Sequence, residues 1–330
     1  MKLSIIIPCL NEERYIEKCI LSVLENDFPH SEYELIIVDG MSSDKTRNIV
    51  ESLQEKYSNI RLLANVKKTA PTAMNLGIAE AQGNIVMRMD AHSFYPKNYI
   101  SALLEWKEKL KADNIGAQCE TDVIVKNPTS IAIKNVLTNK LGVGNGLFRL
   151  GVKEPLEVDT VPFGCYSKDV LIELGGYDER LKRNQDIELN KRLKAAGKRI
   201  FLIPYTHCVY YARETWRKLA KNNYENGKWN LITTYYTKKM ASLSIRHFIP
   251  LIFVLSIVIP ALLSFVFWPF ALLSLISLGL YVIALILVIS KMDRKGTTFI
   301  HLLWTFLVLH ISYGIGSFIG LFHIGKLFKK

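Results

Sequence analysis

The chain has no C-x-x-C pair, and its five cysteines (Cys9, Cys19, Cys119, Cys165 and Cys208) are odd in number. Both facts argue against a disulfide framework or a thiolate zinc site and fit a reducing compartment. No G-x-G-x-x-G follows the first apolar run, where Pro8-Cys9-Leu10-Asn11-Glu12-Glu13 stands instead, and no G-x-x-x-x-G-K-[ST] occurs anywhere. The dehydrogenase and P-loop fingerprints are therefore both missing. The N-terminal run Leu3–Pro8 is too short for a signal-peptide core and meets Glu12, Glu13 and Arg14 at once, so it reads as a buried strand. There is no internal repeat and no low-complexity linker.

Charge is missing in one place above all. From Phe248 to Ser290, 43 residues pass without Asp, Glu, Lys, Arg or His, about twice the ~20 residues a bilayer-spanning helix needs. Trp268 and Pro269 near the midpoint suit a tight turn between two helices. A second apolar stretch runs from Thr297 to Ile324. There, Gly314, Gly316 and Gly320 leave two readings open: a third span, which we favour, or a break with the tail in the interface.

What is present sorts by position. The 330 residues are 49% hydrophobic with a mean hydropathy of +0.15, high for a wholly soluble protein. Residues 1–200 carry 28 basic and 27 acidic side chains, residues 201–247 carry 8 and 2, and residues 248–330 carry 6 and 1. The formal charge of +12 is thus mostly juxtamembrane, a topology signal that keeps these segments cytoplasmic and near anionic headgroups. The basic residues form no nucleic-acid motif, so no nucleic-acid partner is expected.

In the first ~120 residues short apolar runs alternate with helical patterns, the habit of a mostly parallel sheet covered by helices. Strands are predicted at residues 3–7, 34–39, 60–65 and 84–90, with helices at about 14–25, 45–57, 72–81 and 96–112. Residues 115–161 read as less regular, with Gly142, Gly144, Gly146 and Gly151 pointing to a mobile loop. A helix, a Gly175-Gly176 turn and a second helix ending near Gly197 follow, then a strand at 199–204. From Arg213 to Trp229, Trp216, Leu219, Ala220 and Tyr224 share one helical face opposite Arg217, Lys221 and Lys228, the pattern of an in-plane interfacial helix.

Asp39 and Asp90 close predicted strands, and ligands of open α/β sheets bind beyond the carboxyl ends of strands. A lone Asp there is more often a turn or cap residue, and Asp44 is most simply a cap. Asp90-Ala91-His92 puts a carboxylate and an imidazole two residues apart, a spacing that can hold one divalent cation. Mn²⁺ or Mg²⁺ is favoured over Zn²⁺, because so few nitrogen or sulfur donors are at hand. Asp186, in Asn184-Gln185-Asp186-Ile187-Glu188, is positioned at a helix start. It reads either as a cap or as the general base that a sugar hydroxyl needs when it attacks an anomeric carbon.

The blocks IIIPCLNEERYI, LIIVDGMSSDKT, TAMNLGIAEAQGNIVMRMDAH and VPFGCYSKDVLIELGGYDERLKRNQDIELNKRL, in this order over residues 1–200, resemble the inverting GT-A glycosyltransferases of family 2. With D-A-H, VDTVPFGCY and the ending HISYGIGSFIGLF, the chain is most similar to the succinoglycan-type bacterial exopolysaccharide glucosyltransferases.

The resemblance implies an α/β, Rossmann-like GT-A fold with C-terminal interfacial and transmembrane helices. It implies a cytoplasmic catalytic domain at 1–212, juxtamembrane helices at 213–247 and a membrane domain at 248–330 with two or three spans. By the same resemblance Pro8, Glu12, Asp39, Asn65, Asn75 and Asp90 surround the nucleotide-sugar and Asp90 with His92 holds the cation. Asp186 is then the base, with Gly164 and Cys165 on the acceptor side; Gln185 departs from the commoner acidic residue. No Q-x-x-R-W follows NQDIEL, which favours transfer of a single hexose, from UDP-glucose or another UDP-sugar. The acceptor expected is a polyprenyl-diphosphate-linked saccharide, in exopolysaccharide or capsule synthesis. Arg213 and Arg217 are placed either to hold its phosphates or merely to rest on headgroups. The rival functions are a nucleotide-binding membrane scaffold and a transporter or flippase component.

Overall fold

The structure is a computed structural model that describes residues 2–144, 146–237 and 247–327, the last three of these for the backbone alone. The part of the expected juxtamembrane segment at 238–246, and Lys329 and Lys330 at the basic end, lie outside the described residues. The chain divides into two compact units, Met1–Glu120 with Leu147–Tyr211, and Thr121–Gly146 with Ala212–Lys330.

The first unit opens with β1 (Leu3–Cys9), α1 (Ile16–Leu24), β2 (Tyr33–Asp39), α2 (Thr46–Lys56), β3 (Ile60–Ala64), α3 (Ala70–Glu80) and β4 (Ile85–Arg88). This is the predicted alternation to within a few residues at each boundary. It continues with β5 (Ser93–Phe94), α4 (Tyr99–Lys109) and β6 (Asn114–Asp122), whose last two residues belong to the second unit. In the second unit the chain then forms α5 (Pro128–Leu137) and α6 (Lys140–Val143). It returns to the first unit with α7 (Leu147–Leu150), β7 (Leu156–Glu157), β8 (Cys165–Ser167), α8 (Lys168–Glu173), α9 (Gln185–Ala195) and β9 (Ile200–Tyr211). The sheet order is β3-β2-β1-β4-β8-β6-β9-β5, with β7 pairing β9. Strands β1 to β4 pair in parallel, and β8 then joins both β4 and β6 antiparallel, which makes the sheet mixed.

Period-2 alternation splits the core between the two faces of this sheet. Leu3, Ile5 and Ile7 of β1 with Leu35 and Ile37 of β2 point to one side, where Ile16, Ile20, Val50 and Leu103 of the covering helices meet them. Ile6, Ile36, Val38 and Val86 point to the other, against Met74, Ile78, Leu189 and Leu193 of α3 and α9. Val86 and, by the same alternation, Arg88 at the end of β4 belong to that second face, which α9 covers.

The stretch at 115–161 differs from the sequence reading. It holds β6, a β-strand buried through most of its length, and α5, whose start is fixed by a capping box between Asn127 and Ser130 with Pro128 at the first turn. Glycines crowd its end, yet Gly142 sits so close to the Val136 carbonyl that no Cβ fits, which is a packing role.

The second unit is helical, adding α10 (Trp216–Thr237), α11 (Ile249–Leu263), α12 (Phe270–Ser290) and α13 (Phe299–Leu327). Its core joins Ala132, Ile133 and Val136 of α5 to Leu219 of α10, Leu285 and Ile289 of α12, and Leu302 and Phe306 of α13. The turn between α11 and α12 falls at the expected Trp268-Pro269. Among the described residues two helices are long and apolar enough to cross a membrane, Phe270–Ser290 and Phe299–Ile324. Gly314, Gly316 and Gly320 do not break α13, which runs through all three.

Candidate active site

The candidate site residues of the first unit gather at the carboxyl ends of the neighbouring strands β1, β2 and β4. Asp39 ends β2, fully buried, and its carboxylate accepts from the Ser42 hydroxyl (2.5 Å) and the Ser42 amide. Cys9 ends β1 beside it, 3.9 Å from the same carboxylate. Burial, then the Asp39 charge, pushes that thiol's pKa up, so Cys9 stays a neutral thiol. Pro8 lies in register with Val38 one residue back. The Glu12 amide donates to Thr46 Oγ1 (2.7 Å), which holds the loop after β1 against the start of α2.

Asp90 lies two residues past β4, its amide donating to the Tyr95 hydroxyl (2.7 Å). His92 Nδ1 stands 2.8 Å from Asp90 Oδ1 and 3.4 Å from Glu12 Oε1. The ring is packed between Tyr15 and Tyr210, at 6.2 and 5.0 Å between centroids. Burial disfavours both charged forms, but the pair outweighs it. Asp90 is held down at about 2 by His92 and Arg88, and His92 is held well above the usual imidazole range by Asp90 and Glu12.

Neither His92 nitrogen has a well-aligned hydrogen bond, although a carboxylate oxygen is at contact distance. A buried imidazole facing carboxylates without a directed hydrogen bond is a donor set that fits a hard divalent cation. Among the described residues no three His, Cys, Asp or Glu side chains close a complete cage, so water and substrate oxygens would have to fill the other positions.

Between this corner and α9 lies a group that reading the sequence missed. Arg88 sits on β4, 8% exposed, with Nε and Nη1 lacking any hydrogen-bond partner. Its amide donates to the Gly164 carbonyl (3.0 Å), and its guanidinium lies 6.0 Å over the Phe163 ring. Burial works against its charge, while Tyr177, Asp186 and Asp90 together raise its pKa further. Nearby, the Tyr177 hydroxyl, Gln185 Oε1 and Asn114 Oδ1 are also buried without partners. The signal available in the sequence was an arginine inside the apolar run NIVMRMD.

Asp186 is in the first turn of α9, whose N-cap is Asn184 in the left-handed region (φ 60°). Asp186 is therefore not the cap, and one of its oxygens accepts only from its neighbour's amide, Ile187 (2.9 Å). Glu188 is buried and doubly bonded to Arg192 (2.7 Å each), which also donates to the Leu174 and Gly176 carbonyls. That pair ties α9 to the Gly175-Gly176 turn.

Other expected residues are placed differently from one another. Asn75 spends its amide on the same turn, accepting from the Tyr177 amide (2.8 Å) and donating to the Tyr177 carbonyl (2.8 Å). A Cβ on Gly176 (φ +70°) would lie 2.6 Å from Asn75 Oδ1. Asn65 is buried, its side chain donating to the Thr69 carbonyl and accepting from Thr72. Gly164 packs against Asn114 and Tyr166 with no room for a Cβ. Cys165 is fully buried among Met87 and Ile115, with its thiol pushed up to about 12 by burial, so its side chain belongs to the core rather than to a cleft wall. Arg213 and Arg217 are both exposed and belong to the second unit.

Comparisons with known proteins bear on the family and the fold. Residues 4–174 match the family described as Glycosyl transferase family 2. The chain is 30% identical over 266 residues to the succinoglycan biosynthesis protein ExoA of Rhizobium meliloti, covering 80% of this chain and 78% of that one. It is 29% identical over 273 residues to a dolichyl N-acetyl-alpha-D-glucosaminyl phosphate 3-beta-D-2,3-diacetamido-2,3-dideoxy-beta-D-glucuronosyltransferase of Methanococcus voltae, covering 80% and 84%. Among solved structures, the mannosyltransferase PcManGT of Pyrobaculum calidifontis, in complex with GDP-Man and Mn²⁺, superposes with a TM-score of 0.64 at 16% identity over 98% of this chain and 87% of that one. S. aureus TarS 1-349 superposes with a TM-score of 0.52 at 18% identity, covering 96% and 90%. These two likenesses show the fold, which is of the GT-A type. The chain belongs to glycosyl transferase family 2 and is a transferase.

Proposed function

We propose that the protein transfers a single hexose, with inversion, from a UDP-sugar, UDP-glucose foremost, to a lipid-linked saccharide in surface polysaccharide synthesis. The observation that carries this reading is the buried Arg88 at the end of β4, which interacts electrostatically both with Asp90, two residues on, and with Asp186 in the first turn of α9. An acid corner for a diphosphate and a carboxylate for an acceptor hydroxyl are thus bracketed by one guanidinium. The two curated relatives, named for succinoglycan and for a dolichyl-phosphate sugar, support the lipid-linked acceptor.

In this reading Pro8, Glu12 and Asp39 hold the nucleoside, with Asn65 and Asn75 shaping the loops around it. Asp90 and His92 hold a Mn²⁺ or Mg²⁺ ion, which when bound supplies Lewis-acid stabilisation to the departing diphosphate. Arg88 directs its unpartnered N–H groups at the donor and stabilises negative charge that develops there. Asp186 takes the proton from the acceptor hydroxyl as that oxygen attacks the anomeric carbon, and the bond to the diphosphate breaks on the opposite face. The backbone at Gly164 and Cys165 serves the acceptor hydroxyl, and Arg213 and Arg217, in the second unit, carry charge suited to the phosphates of a lipid-linked acceptor.

Release of UDP from a panel of UDP-sugars, by full-length protein with membrane lipid extract, tests the proposal. Donor-selective release that EDTA abolishes and Mn²⁺ restores is expected. Release that is indifferent to donor would overturn the donor assignment, and no release with any lipid extract would leave only nucleotide binding.

A further inference from the structure

Helix α13 is apolar enough to cross a membrane, but its packing partner is not. The Trp216 indole N–H donates to Thr305 Oγ1 (2.9 Å), Gly316 lies against the Tyr224 carbonyl, and Gly320 lies against the Lys228 carbonyl. Contact positions rise together along both helices, so α10 and α13 run side by side in the same direction. Gly227 abuts the Tyr313 carbonyl with no room for a Cβ, so the two backbones approach closely. Over this length α10 carries Arg217, Lys218, Lys221, Glu225 and Lys228 with Asn222, Asn223 and Asn226.

The strapped part of α13, residues 305–320, is about 24 Å long at ~1.5 Å per residue. Were it to cross the bilayer, α10 would go with it, at about 2.5–3.5 kcal/mol for each charged side chain near the centre. What remains of α13, residues 299–304 and 321–327, is far short of the ~20 residues needed for a span. The outer face of α13 is a single apolar stripe of Ile300, Trp304, Ile311, Ile315 and Phe322, while Leu302, Phe306 and Leu309 face inward. That is the pattern of a helix lying along a lipid surface.

The α11–α12 hairpin is the opposite case. Its tip is Phe265 (90% exposed), Val266 (89%), Phe267 and Trp268, with no Asp, Glu, Lys, Arg or His from Phe248 to Ser290. The tip amides are bonded within the turn: Phe265 donates to the Leu262 carbonyl, and Val266 and Phe267 donate to Leu263. Hydrocarbon demands that internal satisfaction of the backbone. From the level where Phe253 meets Tyr281 (4.2 Å), each arm extends some thirteen residues, or about 20 Å at ~1.5 Å per residue. The hydrocarbon core is about 30 Å thick.

We propose that α13 lies in the plane of the membrane surface strapped to α10. Among the described residues the chain then enters the lipid bilayer only through the α11–α12 hairpin, which dips in and returns, so that the segments before and after the hairpin lie on one side of the bilayer. This replaces a third span and keeps the basic residues at 291–295 and 326–330 on one side.

The test is labelling of single substitutions in the full-length chain with a membrane-impermeant maleimide; the five native cysteines are buried. In intact cells Asp293→Cys, His323→Cys and Phe265→Cys are expected to stay unlabelled. After permeabilisation Asp293→Cys and His323→Cys should label, and Phe265→Cys, held in lipid, should not. External labelling of His323→Cys overturns the in-plane α13, and external labelling of Phe265→Cys overturns the returning hairpin. An unsubstituted chain with a reporter at its C-terminus that fluoresces only in the cytoplasm guards against misfolded variants. Fluorescence is expected, and a dark, membrane-inserted fusion contradicts the proposal.

Discussion

The two units differ in how far they satisfy their buried polar groups. In the helical unit they bond across helices: Trp216 to Thr305, Asn230 to Tyr313 (2.6 Å), and Tyr281 to His310 (2.8 Å), which also bonds the Leu141 carbonyl. In the sheet unit Arg88, His92, Asn114, Tyr177 and Gln185 leave nitrogen or oxygen atoms buried and unbonded. An unmade buried hydrogen bond costs about 1–3 kcal/mol, so a cluster of them is stable only where the surrounding fold carries the cost. Such a cluster is a site that a polar ligand completes, whereas among the described residues of the helical unit Ser317 Oγ alone is left buried without a partner.

The largest effect that would break this contrast is at Asp186. Asp186→Asn keeps the shape of the helix start but removes the base, and kcat should fall by about 10²–10⁴-fold with donor KM little changed. Assays of initial rate against donor concentration check the split. Next, His92→Ala should weaken Mn²⁺ activation by at least about tenfold, because one of two protein ligands is lost; a Mn²⁺ titration of UDP release reads this directly.

Arg88→Met sharpens the comparison further. A buried cation without an ion pair can be replaced by an apolar chain at little cost to the fold. Tm should therefore shift by no more than a few degrees while kcat/KM falls at least about tenfold. A large Tm loss with unchanged kcat/KM would make Arg88 a structural residue. The smallest effect lies in the helical unit, where Gly316→Ala puts a methyl group into the Tyr224 carbonyl and should cost about 1–3 kcal/mol of that unit's stability. Thermal unfolding in detergent measures it, with metal-dependent donor binding by the sheet unit expected to persist.

The parallel half of the fold was legible because β1 to β4 are buried runs separated by amphipathic helices, a pattern that needs no partner information. β6 was not, because it lies in a stretch punctuated by glycines and pairs antiparallel with β8 some fifty residues on. Asp90, His92 and Asp186 could be named from their places at element ends. Arg88 could not, since a charged residue inside a strand is informative only once its missing partners are seen. Asn65 and Asn75 were visible as polar residues, but the bonds that engage them, to Thr69, Thr72 and Tyr177, come from the folded loops.

The most direct test of the central claim is a crystal structure of the chain with Mn²⁺ and a non-transferable UDP-sugar analogue. We expect the cation on Asp90 and His92, and Arg88 Nε or Nη1 within hydrogen-bond distance of the donor. A donor bound elsewhere, with Arg88 and His92 still unpartnered, would contradict the reading of these groups as the donor site.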